Sequence, residues 1–206
     1  MKFSKDFKEI KGDASFRKFY RNTKKNSIIV FANKEKTKNL LIYDSINKIL
    51  IKNNIIAPQL LSQNYKKNYI EIQDLGKKTI YQIFSNYKKK QYPIFKKAIN
   101  VLNKIQLVKD KKIKNFKNEF YLIKDYKNKI LLDEANLFSH WYVPKKLDKK
   151  KINIFKTKFN REIKLLLSKL HFKNDTFVHR DFHVSNLIVN SKNQIGLIDN
   201  QDALIG

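Results

Sequence analysis

Residues 177–200 read FVHRDFHVSNLIVNSKNQIGLIDN, and the order of residue types in this stretch decides how the rest of the chain is understood. Asp181 and Asn186 are separated by four residues, and Asp199 closes the next apolar segment. NLIVN and IGLID are short and apolar, and the polar SKNQ between them predicts a hairpin. A carboxylate at the start of a loop can accept the proton of a hydroxyl. An amide oxygen and a second carboxylate are hard ligands suited to Mg²⁺. Phosphoryl transfer asks little more of a protein than an aligned acceptor hydroxyl and divalent ions bridging the phosphates. The spacing therefore suits Asp181 as catalytic base and Asn186 and Asp199 as metal ligands. A plain polar hairpin, with Asp and Asn capping turns, is the competing reading; it leaves the order of three chemically suited residues unexplained. A helical pair of metal-binding histidines at 179 and 183 is disfavoured by the flanking Phe177, Val178 and Phe182 and by the absence of HExxH. His179 is expected to pack and hydrogen-bond so as to hold the loop. His183 is expected to line the acceptor side, with Arg180 beside them.

Working outward, Ser27–Ala32 (SIIVFA) is a β-branched apolar run that predicts a buried strand. Ile42, Ile46, Ile49 and Leu50 then recur at helical spacing, predicting an amphipathic helix that ends near Asn53 and Asn54. Residues 55–61, with Pro58, resemble a connector, and residues 69–72 predict another strand. Beyond Gly76 the pattern turns helical around residues 94–107 and 155–170, and Pro144 is expected to end a helix. The only tryptophan, Trp141, and Tyr142 are expected to pack in a core, with stacking on a substrate as the alternative. A β-rich lobe over 1–75 followed by a mainly helical lobe over 76–206 is the expected division.

The 206 residues carry a formal charge of +27, 42% hydrophobic residues and no cysteine. The missing cysteines exclude disulfides, thiolate zinc sites and a cysteine nucleophile. With no apolar run near the roughly 18 residues that span a bilayer and no apolar core to the N-terminal segment, a soluble cytoplasmic protein without a membrane partner is expected. The charge invites a nucleic-acid reading. Yet a nucleic-acid binder is expected to gather charge on one face and to favour arginine. Here lysine, asparagine and isoleucine are used heavily throughout, as a compositional habit, and the arginines are Arg17, Arg21, Arg161 and Arg180. Nucleic acid is therefore not the expected partner. Oligomeric state has no signature in the sequence.

HRDFHVSNL with LIDNQDA, together with GDASFRKFYR at 12–21, IEIQDLG at 70–76 and LFSHWYVP at 137–144, resembles the aminoglycoside phosphotransferase and choline kinase superfamily. The branch that fits best is the cell-wall amino-sugar kinases. The pieces stand in the family's order and cover nearly the whole chain. The resemblance implies an α+β, two-lobed, protein-kinase-like fold, a small-molecule sugar substrate, and ATP and Mg²⁺ as cofactors. By the same resemblance, Asp181 is the base and Asn186 and Asp199 bind Mg²⁺. Gly12, Asp13, Ala14 and Ser15 would form the turn over the ATP phosphates, where small residues let backbone N–H groups approach an anion. Glu71, Gln73, Asp74 and Leu75 would form the adenine-binding hinge.

Three departures from the family stand out. Asn200 replaces the usual aromatic after the metal-binding Asp. No lysine lies within SIIVFA, so Lys34 just beyond it is the candidate to pair the phosphates. The chain stops at Gly206, where relatives continue with helices that wall the acceptor pocket, so an incomplete C-terminal lobe is expected. The expected function is ATP-dependent phosphorylation of an amino-sugar hydroxyl, N-acetylmuramate or N-acetylglucosamine at the anomeric position. A non-catalytic or decayed kinase-like protein and a basic nucleic-acid binder are the alternatives.

Overall fold

SIIVFA forms the central strand of a five-stranded antiparallel sheet. In the computed structural model, which describes residues 6–10, 16–33, 35, 38–86, 91–171 and 173–206, the strands are β1 (Phe7–Ile10), β2 (Arg17–Asn22), β3 (Ser27–Ala32), β4 (Leu60–Asn64) and β5 (Tyr69–Gln73). Their order across the sheet is β1-β2-β3-β5-β4. Val30 and Ala32 of β3 and Ile70 and Ile72 of β5 point to one face, as strand alternation requires. Leu40 and Tyr43 of helix α1 (Asn39–Lys52) close over them to form the core.

Helix α1 ends where expected but is not simply amphipathic. Besides its apolar residues, Asp44, Ser45 and Asn47 are buried. Each polar side chain has a partner that makes its burial tolerable. Asp44 pairs with Lys48 at 2.8 Å, Ser45 donates to the Leu41 carbonyl at 2.8 Å, and Asn47 joins the hydrogen-bond relay described below. Strand β4 begins at Leu60, inside the stretch read as a connector. Its LLSQN sequence has little β-branched character, and it is held by its ladder to β5 across a bulge between Leu60 and Ser62.

The chain divides into two compact units, Met1–Ile123 with Phe177–Ala203, and Lys124–Thr176 with Leu204–Gly206. The lobe boundary expected after residue 75 lies inside the first of these. That unit adds α2 (Ile80–Asn86), α3 (Gln91–Gln106), the short hairpin β6 (Lys112–Lys114) and β7 (Phe120–Leu122), and the strands β8 (Phe177–Val178), β9 (Leu187–Val189) and β10 (Ile195–Leu197). The β6–β7 hairpin was hidden by lysine. Its turn is built by the Asn115 side chain, which accepts from the amides of Lys117 and Glu119 at 2.8 and 3.1 Å, an Asx arrangement that needs no apolar signal.

The second unit contains α4 (Asn128–Leu137), α5 (Lys149–Lys169) and the short strand β11 (Leu204–Ile205). A π-helical turn, Phe138–Tyr142, extends α4, and a single 3₁₀ turn carrying Pro144 ends it. Asp148 caps α5 by accepting from the Lys151 amide at 2.9 Å. Phe138 and Tyr142 stack at 5.2 Å, and Phe138 also meets Phe155 and Phe159 of α5. The expectation for Trp141 is overturned: it is 72% exposed. The turn directs Phe138 to α5, stacks Tyr142 on Phe138 and leaves the indole outside, and Tyr142 is half exposed as well. Among the described residues no helix is long and apolar enough to cross a membrane.

Candidate active site

The hairpin predicted from NLIVN and IGLID is present, with Leu187 opposite Leu197 and Val189 opposite Ile195. Both outer edges are held. The Leu197 amide donates to the Ile56 carbonyl at 2.8 Å, and the Val189 amide to the Lys78 carbonyl at 3.1 Å. Gly196 explains the close fit: a Cβ there would lie 2.8 Å from Leu75 Cδ1 and 3.1 Å from Ile56 Cγ2. Asn186 immediately precedes β9 and Asp199 follows β10 by one residue. The Ile198 amide donates to the Asn186 carbonyl at 3.1 Å, so the two proposed ligands sit at one end of the same hairpin.

Asp181 is exposed, in a loop rather than a helix. Its carbonyl accepts from the His183 amide at 3.0 Å and from Asn186 Nδ2 at 3.1 Å. The second bond fixes the Asn186 amide group, because its nitrogen end is engaged by Asp181 and approaches His183 Nε2 at 3.2 Å. Its oxygen is thereby the end left for a cation. Arg180 and Asp199 have φ of 70° and 62°. Asp tolerates left-handed backbone, but at Arg180 it costs about 1–2 kcal/mol, and such strain gathers at functional sites. Arg180 also donates to the Asp202 carbonyl at 3.2 Å, tying the two loops together.

His179 and Asn200 lie beneath these loops. Asn200 is fully buried (0% exposed), and its Nδ2 donates to Asn47 Oδ1 at 2.8 Å and to the Leu197 carbonyl at 3.3 Å. Its Oδ1 therefore faces His179 Nε2, 2.7 Å away, and that nitrogen must carry the hydrogen. Burial pushes the His179 imidazole below its ordinary value, against the hydrogen bond to Asn200 and the charges of Asp181 and Asp199, which push the other way. The imidazole is thus a neutral, positioned donor. Asn200, read from the sequence only as a departure, joins the Asp181 loop, the Asp199 loop and α1.

Asp199 is 36% exposed at its side chain. Oδ1 accepts from Arg17 Nη2 at 2.8 Å and from Gln201 Nε2 at 3.1 Å. Both bonds fall on the same oxygen, so Oδ2 is the one that can face a cation. Among the described residues no three His, Cys, Asp or Glu side chains gather as a metal site. Mg²⁺ characteristically takes one or two protein oxygens and completes its shell with substrate phosphates and water. An oriented Asn186 oxygen and a partly exposed Asp199 carboxylate fit that role.

The remaining expected residues fall into two groups. Gly12, Asp13, Ala14, Ser15 and Lys34 lie outside the described residues. The hinge segment is described, and its side chains are occupied. Glu71 accepts from Ser27 at 2.6 Å and from Ser62 at 3.0 Å, across three strands. Asp74 is buried and pairs with Arg21 at 2.5 Å, while its Oδ1 accepts from the Gly76 amide at 2.9 Å. The Gln73 and Asp74 amides donate to the carbonyls of Gln59 and Asn26. Leu75 packs over Gly196. Arg17 and Asn47 were missed. The signal for Arg17 was available: in a chain this rich in lysine, GDASFRKFYR holds two of the four arginines.

The sequence profile of the phosphotransferase enzyme family matches residues 6–206. The chain belongs to this family. It is 26% identical over 195 residues to an N-acetylmuramate/N-acetylglucosamine kinase of Pseudomonas putida, covering 94% of this chain and 54% of that protein. Against the protein of the same name from Neisseria meningitidis the identity is 25% over 198 residues, with 94% and 56% covered. The chain thus spans about half the length of the curated relatives it matches. Among solved structures, aminoglycoside phosphotransferase APH(4)-Ia in a ternary complex with ADP and hygromycin B superposes with a TM-score of 0.64 at 10% identity, covering 98% of this chain and 68% of that one. Choline kinase LicA from Streptococcus pneumoniae gives 0.61 at 13% identity, with 96% and 63% covered. At such identities the likeness concerns the fold, which is α+β and protein-kinase-like, as expected.

Proposed function

We propose that the chain carries the catalytic equipment of an ATP-dependent phosphotransferase acting on a hydroxyl of an N-acetylated cell-wall amino sugar, N-acetylmuramate or N-acetylglucosamine, at the anomeric position. The carrying observation is the joint placement of Asp181, Asn186 and Asp199: one hydrogen bond orients the Asn186 amide from the Asp181 backbone, and another links the backbones leading to Asn186 and Asp199. In this reading the Asp181 carboxylate orients the acceptor hydroxyl and takes its proton as the new O–P bond forms and the bond to the ADP oxygen breaks. Asn186 and Asp199 would hold Mg²⁺, which supplies charge neutralisation at the phosphates when bound. The backbone groups of Glu71, Gln73, Asp74 and Leu75 would receive adenine. Residues 12–15 would cover the phosphates.

Support for a sugar acceptor comes from the relatives' names and from charge. A protein at +27 repels polycationic aminoglycosides, whereas neutral or carboxylate-bearing sugars meet no such penalty. Asp181→Asn tests the role assigned to the base. Turnover should fall by about 10²–10⁴-fold, while nucleotide affinity, measured by calorimetry, should stay near wild type. A variant that transfers phosphate normally would remove Asp181 from the mechanism.

A further inference from the structure

We infer that Arg17 is the cation that grips the nucleotide's phosphates, taking the place that Lys34 was expected to fill. The inference rests on the phosphotransferase reading above. It starts from burial. The chain has 45 lysines and arginines, and among the described residues Arg17 is the single buried one, at 8% exposed. Burying a guanidinium is costly, and replacing a whole buried ion pair by apolar side chains of similar volume is often neutral or stabilising, although removing one partner alone is strongly destabilising. A stability role alone therefore explains poorly why the Arg17–Asp199 pair is kept here. The location supplies a reason. Arg17 donates to Asp199 Oδ1 at 2.8 Å, the carboxylate expected to face a phosphate-bound cation through its other oxygen. It stands opposite Ala32 across the β2–β3 ladder, beside the strand that lacks a lysine.

Apart from the Asp199 carboxylate that pairs with it, the guanidinium is flanked by aromatic rings. The rings of Phe19 and Tyr43 lie 5.7 and 5.9 Å from its Cζ, a cation–π setting that accepts a weakly hydrated guanidinium more readily than an ammonium. Tyr43 cannot compete as an anion, because burial pushes its phenol up to about 12 despite Arg17's opposing pull. Glu35, whose carboxylate caps α1 by accepting from the Leu40 amide at 2.5 Å, feels Arg17's charge as well. A triphosphate entering beside Asp181 and Asp199 adds several negative charges to two already present, and a fixed cation offsets repulsion that a single Mg²⁺ leaves. Guanidinium is suited to phosphate oxygens by its planar fork.

The test compares ligands that differ only in phosphates. Wild type, Arg17→Met and Arg17→Lys, all as the full chain, are titrated with adenosine and with ATP·Mg²⁺. Arg17→Met should weaken ATP by about ten- to a hundredfold, the worth of a charge-assisted hydrogen bond, and leave adenosine unchanged; Arg17→Lys should recover most of the loss. Equal weakening of both ligands, or of neither, would overturn the proposal. If Arg17→Met does not fold, wild type still decides. With four arginines in the chain, the Nε–H resonance of Arg17 is assignable by its loss in Arg17→Lys. It should shift on adding ATP and stay in place on adding adenosine, and no response to ATP would refute the assignment. Wild type that binds neither ligand would instead refute the phosphotransferase reading on which the proposal depends.

Discussion

At the scale of single residues, the site depends on buried polar groups that hydrogen-bond to one another. Asn200 bonds to His179, Asn47 and the Leu197 carbonyl in a space closed to water. Asn200→Leu would keep the branched shape, though with a larger volume, and strand the His179 donor and the Asn47 acceptor. Each orphaned buried group costs about 1–3 kcal/mol, so the loss for the two should be about 2–6 kcal/mol by urea unfolding. His179 gives the chain a pH dependence whose sign follows from burial. Its folded-state value lies below the ordinary 6.5, so in the window between the two the unfolded chain binds a proton that the folded chain does not. Stability then rises with pH through that window and is lost as pH falls below about 6.5. Thermal melts between about pH 7 and pH 5 should show this slope, and His179→Gln, which retains a donor but does not titrate, should flatten it. Asp181, Asn186 and Asp199 could be singled out as candidates because the proposed chemistry is carried by residue type and spacing. Arg17 and Asn47 were not, since their importance comes from being buried next to Asp199 and Asn200, 182 and 153 residues away in the chain.

At the scale of elements, the hinge and the hairpin are positioned by two close approaches of backbone. Gly76 has φ 137°, and a Cβ there would meet Ile188 Cγ2 at 3.3 Å and the Val189 carbonyl at 3.4 Å. Gly76→Ala therefore carries both backbone strain and crowding against β9. A cost of about 1–3 kcal/mol is expected, seen as a lowered denaturation midpoint with an unchanged denaturant slope; an unchanged midpoint would mean that this turn is not held as described. The elements with strong apolar periodicity, β3, β5, α1, α3, α5 and the β9–β10 hairpin, could be read from the sequence. Those stabilised chiefly by backbone pairing or side-chain turns could not. LLSQN becomes β4 through its ladder to β5, and KIK becomes β6 because Asn115 builds the turn. Trp141 was misread for a related reason. Its hydrophobicity was visible, but the π-helical turn that directs Phe138 to α5 and stacks Tyr142 on it was not.

At the scale of the whole molecule, the charge of +27 says more about what approaches the site than about the fold. The chain aligns over 94% of its length with longer proteins named as N-acetylmuramate/N-acetylglucosamine kinases. The central claim is that Asp181, Asn186 and Asp199 together transfer a phosphoryl group to a sugar hydroxyl. The most direct measurement incubates the protein with Mg²⁺, ATP labelled at the γ-phosphate, and N-acetylmuramate, N-acetylglucosamine, choline or an aminoglycoside in parallel. Label should appear on an N-acetylated amino sugar, at a position lost on treatment that cleaves anomeric phosphates, and should disappear in Asp181→Asn. Label on none of the four acceptors, with ATP demonstrably bound, would contradict the account.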